Sequence, residues 1–148
     1  MKRSPAGAAA LLSAVFVAVA QASPGTQSRL TAISGRGDGL VEVSPTAMNE
    51  AGFTFDVQGT VNIHGTTPHT GFTVSRRPDL TPDGICTGST WLAFPGTLTT
   101  STGGAGAFHF EVQRGAPFLE GVRFDVIFRA VGTDGTVLES DCFTVTVK

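Results

Sequence analysis

The sequence predicts an all-β protein with a single domain, a sandwich or barrel of about seven to nine short antiparallel strands, and three observations lead there. After the N-terminal stretch, no segment spaces its apolar residues at the i, i+3, i+4, i+7 interval of an amphipathic helix. Alternation takes its place: Phe53, Phe55 and Val57 flank Thr54 and Asp56, Val61 and Ile63 flank Asn62, and Phe72 and Val74 flank Thr73, the period of a half-buried strand. Turn formers separate these runs, among them Gln58-Gly59, Thr66-Thr67-Pro68, Pro82-Asp83-Gly84, Pro95-Gly96 and Asp134-Gly135. With 148 residues, 41% hydrophobic and 15% charged, the chain can fill one core and reads as neither disordered nor coiled coil.

Taken from the N-terminus, Met1-Lys2-Arg3 is a short positive segment, Ala6 to Ala20 is apolar, and Ala20-Gln21-Ala22 fits a small-x-small cleavage site. Residues 1–22 therefore read as an export signal cut after Ala22, and the apolar run is shorter than the roughly 20 residues a membrane-spanning helix needs. No other apolar run of membrane length follows, so the mature chain is expected outside the cytoplasm, secreted and without a membrane span. Residues 23–29 carry little to bury and read as a flexible tail, leaving 30–148 as the β domain. Further strands are expected over Leu30 to Ile33, Leu40 to Val43, Trp91 to Phe94, Leu98 to Ser101, Phe108 to Val112, Val122 to Val131 and Thr136 to Val147.

The C-terminal hairpin permits a register. If Asp134-Gly135 is a two-residue loop, Val126 faces Phe143, Phe124 faces Val145 and Val122 faces Val147, three apolar pairs on one face. Nearer the turn the same register sets Phe128 against Asp141 and Ala130 against Glu139, which calls for a bulge or for a cover over the outer face. A cover by the loop carrying Ile85-Cys86 is preferred, because Cys142 lies on that outer face beside Ile127. Cys86 and Cys142 are the only cysteines, and an oxidising compartment makes a disulfide their expected state, with free thiols or a metal pair as alternatives.

From about Thr31 to Lys148 the chain resembles small immunoglobulin-like β-sandwich proteins exported by bacteria, many without an assigned activity. The residues that carry the resemblance are Gly59-Thr60-Val61-Asn62-Ile63-His64-Gly65 leading through Pro68 to Phe72-Thr73-Val74, the run from Leu98-Thr99-Thr100-Ser101 to Phe108, and Thr133-Asp134-Gly135-Thr136 on to Cys142. It implies an immunoglobulin-like sandwich and export, and brings no catalytic residues. The cysteine spacing differs from that of antibody domains, and a chain without Tyr has no tyrosine corner.

The formal net charge is -2, and Lys2 and Arg3 of the leader are among its ten basic residues, so the mature part is more acidic still. That balance argues against nucleic acid and anionic lipid as partners. No Gly-x-Ser-x-Gly elbow, P-loop, dinucleotide fingerprint or zincin motif occurs, and no catalytic residue or cofactor is expected. The expected role is a non-enzymatic binding or structural module at the envelope or outside the cell, with a protein or glycan partner. One candidate face arises if the strand Phe108 to Val112 lies beside Val122 to Phe128, which would put His109, Glu111, Arg123, Asp125 and Arg129 on a shared outer surface. The alternatives are a metal-binding protein using His64, His69 and His109, or a small extracellular hydrolase with a Ser or Asp beside one of those histidines. Arg36-Gly37-Asp38 has the form of an adhesion tripeptide but reads as a solvated turn, Asp79 to Gly84 falls short of a calcium loop, and Trp91 is expected in the core.

Overall fold

The computed structural model describes residues 26–47 and 55–148. The segment 1–22 expected to be an export signal, and Phe53 and Thr54, lie outside the described residues. Ten strands and no helix run through them: β1 (Thr26–Ser34), β2 (Asp38–Ala47), β3 (Phe55–His64), β4 (Gly71–Asp79), β5 (Leu92–Ala93), β6 (Leu98–Thr99), β7 (Gly106–Arg114), β8 (Arg123–Gly132), β9 (Val137–Ser140) and β10 (Phe143–Thr146). All pairs are antiparallel and form one continuous sheet in the order β5-β4-β8-β9-β1-β2-β3-β7, with β6 also on β4 and β10 also on β8. The sheet curls over a single core in which Leu30, Val41, Val61, Phe72, Phe128 and Leu138 are fully or nearly fully buried.

Alternation sets which residues enter that core. Along β3, Val57, Val61 and Ile63 are buried while Gln58, Asn62 and His64 are exposed, and Phe72 and Val74 repeat the pattern on β4. The two expected runs around Phe55 and Val61 are one strand, because Gln58-Gly59 continues the ladder opposite Ser44 and Val43 instead of turning. β1 starts at Thr26, inside the stretch expected to be a tail: Thr26 to Arg29 pair with Val43 to Leu40. A ladder is built from backbone groups, so a segment with little to bury can still be held by them.

The C-terminal hairpin departs from its expected register near the turn and agrees with it further out. The loop has three residues, not two: Gly132 N–H bonds Thr136 O at 2.7 Å, and Gly135 takes a φ of +85°, the bulge-type turn that favours glycine. Arg129, Ala130 and Val131 therefore face Glu139, Leu138 and Val137, which returns Leu138 to the buried side with Ala130. A second irregularity at Asp141-Cys142 ends β9 and begins β10, and beyond it Val126 faces Phe143 and Phe124 faces Val145, as the sequence predicts. Ser140 bridges the break, accepting Phe128 N–H and donating to Asp141 O, both at 2.9 Å. The bulge preferred against is thus present, and it is the pairing shift, not cover alone, that removes the mismatch.

Cover is also there. Cys86 and Cys142 form a disulfide with Cα atoms 5.7 Å apart, tying the loop after β4 to the last strands. Asp125 on β8 is completely buried under this loop, accepting Gly84 N–H at 2.6 Å and the Thr144 hydroxyl, and Ile127 two residues on is buried as well. No helix among the described residues is long and apolar enough to cross a membrane.

Candidate binding pocket at the sheet seam

Strands β4 and β7 approach each other where the curled sheet would close. Near Gly71 the gap is spanned by β6, which pairs with β4 through Leu98 and Thr99. Gly106 at the start of β7 makes that approach possible, since a Cβ there would stand 2.6 Å from Leu98 Cδ2. Phe94 continues the bridge: its N–H bonds Val74 O at 2.9 Å and its ring packs on Phe110 with centroids 4.5 Å apart. Past Phe94 the two strands have no ladder between them among the described residues, and a pocket opens there.

The pocket has a volume of about 440 Å³ including its open mouth, and its walls are Val43, Val57, Val112, Phe118, Phe124 and Pro78 around a floor of Phe110, Val126 and Phe128. The two remaining lining residues, Arg76 and Arg114, are the charged ones. Their position follows from alternation. Phe72 and Val74 point into the core, so Arg76 holds the next inward place on β4, and Phe110 and Val112 lead in the same way to Arg114 at the end of β7. Arg76 Cζ lies 4.4 Å from the Phe94 ring centroid. Burial first, and then repulsion from Arg114, pushes the Arg76 guanidinium down to about 10, so it stays a cation at neutral pH.

The residues singled out from the sequence fall elsewhere and apart. β7 pairs with β3 and not with β8, so His109, Glu111, Arg123, Asp125 and Arg129 do not share the expected surface. Asp125 is buried, and Arg129 is half-buried, paired with Glu139 and 4.1 Å from the centroid of Trp91. Trp91 lies outside the core, with Arg77 on it at 4.8 Å; Arg77 in turn donates to Cys86 O at 2.8 Å. This stack fastens the disulfide loop to the outer face of the sheet.

His109 stands opposite Thr60, four residues along β3 from His64, a separation of about 13 Å along the strand. Two imidazoles that far apart do not reach one ion through bonds near 2 Å. His69 is in the loop before β4 with a φ of +53°, and no group of three or more His, Cys, Asp or Glu among the described residues could hold a metal ion. In the Arg-Gly-Asp turn the Asp38 carboxylate is engaged by Arg29 at 3.2 Å and by His64 Nε2 at 2.8 Å. Asp79 accepts bonds from Thr81 and Thr87, and Asp83 accepts Ile85 N–H at 2.9 Å, so both close turns of their own loop.

Those bonds have a pH signature. The Thr81 N–H, followed by the Thr87 N–H and hydroxyl, holds the Asp79 carboxyl below its ordinary value of 3.8; the Thr67 hydroxyl and then the Thr136 N–H do the same for Asp134. A carboxyl depressed by folding adds stability above its unfolded value and loses it as pH falls through the folded one. The urea midpoint should therefore fall with acidification from about pH 4 downward, and Asp79→Asn should flatten part of that slope, leaving the part due to Asp134.

No family model matches the chain, and no curated protein does. Among solved structures, a Bordetella pertussis protein provisionally assigned as ApaA is similar at a TM-score of 0.43 and 16% identity, over 76% of this chain and 96% of that one. A likeness at that level transfers no function.

Proposed function

We propose that the chain is an exported, non-enzymatic module that acts at the envelope or outside the cell by binding a partner in the seam pocket, its curled sheet being a form of immunoglobulin-like sandwich. The pocket carries this reading: it is concave, and nine of its eleven lining residues are apolar. A hydrolase in that cleft would need a nucleophile and a base, and no Ser, His, Asp or Glu lines it. Export is supported by the leader composition of residues 1–22 and by the Cys86–Cys142 bridge, which persists in oxidising compartments.

Intact mass of the protein recovered from the periplasm or medium of an expressing bacterium tests the reading, taken under native and denaturing conditions. The expected species begins at Ser23, carries the bridge and is free of metal. An uncleaved chain retained in the cytoplasm, or a stoichiometric ion released on unfolding, would overturn it.

A further inference from the structure

We propose that the seam pocket binds a small apolar monoanion, an alkyl carboxylate of medium chain length, with its chain against Phe110, Val126 and Phe128 and its carboxylate between Arg76 and Arg114. This rests on the reading of the pocket as the binding site and names what fills it.

The first argument is the cost of the cations. A core strand position in the series Phe72, Val74, Arg76 is one that an apolar residue would fill more cheaply, because a guanidinium there gives up water. Of the other two half-buried arginines among the described residues, Arg129 pairs with Glu139, and Arg77 donates through one terminal nitrogen to Cys86 O although its Nε is left without a partner. Arg76 has a ring beneath it and no carboxylate partner among the described residues, and its neighbour Arg114 repels it. An anion seated between them removes the repulsion and supplies the missing acceptor in one step. The pocket is thereby opposite in sign to the chain as a whole, whose net charge is -2.

The second argument is what the rest of the lining lacks. Nine apolar residues offer nothing to the hydroxyls of a sugar or the edges of a base, so the ligand below its charged head must be apolar. Arginine presents a planar fork that matches a carboxylate through paired N–H bonds, which a lone ammonium does not. The enclosed part of the pocket is small and the rest is open mouth, which suits a single alkyl chain and not a lipid with two.

The test compares decanoate, decanol and acetate by titration calorimetry on the secreted, oxidised protein. Decanoate is expected to bind one to one and roughly tenfold to hundredfold more tightly than decanol, the worth of a charge-assisted hydrogen bond, with acetate weaker than either. Arg76→Gln should erase the preference for decanoate and keep decanol binding, and added salt should weaken decanoate alone. A urea midpoint checks that the variant is folded, and Arg114→Gln at the exposed strand end reads the same effect if it is not. Equal binding of decanoate and decanol, insensitive to Arg76→Gln, would overturn the inference and leave an apolar site standing. Acetate binding as tightly as decanoate would overturn it as well, and binding of none of the three would remove the pocket reading altogether.

Discussion

Cys142→Ser, or reduction of the native protein, is expected to lower the unfolding free energy by about 4 kcal/mol. The bridge joins residues 56 apart in sequence, and a cross-link of that span removes much of the freedom of the unfolded chain. In the folded state it holds the loop that covers β8, where Asp125 accepts the Gly84 N–H and Arg77 donates to Cys86 O. Freed of the bridge, that loop must stay on the sheet through these contacts and the Trp91 stack, and each partial opening brings water to a buried carboxylate. Urea unfolding with and without reductant gives the difference directly. A loss under about 1 kcal/mol would mean that the polar contacts dock the loop unaided.

Phe128→Ala is expected to cost about 3–5 kcal/mol, at the upper end for a single core truncation. Phe128 is the centre of the ring cluster, with centroids 6.2 Å from Phe94, 5.5 Å from Phe110 and 6.1 Å from Phe143, so its loss takes a contact from each of three rings. Its strand is clamped by β4 on one side and by β9 and β10 on the other, and the backbone has little room to collapse into the space. Phe143→Ala, at a half-buried place on the rim of the cluster, should cost visibly less in the same denaturation series.

The distal hairpin register was legible in the sequence although its turn was not. A three-residue loop at Gly135 shifts the pairing by one, and the break at Asp141-Cys142 shifts it back, so the apolar pairs Val126–Phe143 and Phe124–Val145 land where alternation puts them. Alternation reports which face a residue takes and is blind to two offsets that cancel. Strand neighbours are a different matter: β7 alternates equally well beside β3 or β8, and the loop lengths that decide between them carry no local signal. Trp91 was misplaced because an aromatic in an apolar run ordinarily marks core, whereas here two guanidinium groups take its faces. The pocket did leave a trace. Phe72-x-Val74-x-Arg76 and Phe110-x-Val112-x-Arg114 each place an arginine at an apolar parity, and where such a cation is half-buried, as Arg76 is, it gains from an anionic partner.

β1, the first strand described, is the link between β9, which is next to last, and β2. Until Leu138 to Ser140 can reach Thr31 and Ala32, the sheet exists as two open halves, each with an unsatisfied edge and a half-covered apolar face. Contacts between such distant parts of a chain form slowly, because the intervening loop must close before any of them is made. A nascent or partly delivered chain therefore has no complete fold to settle into. For a protein exported as proposed, that delay keeps the polypeptide extended enough to thread a translocation channel, and folding begins in earnest only on the side of the membrane where its disulfide can form.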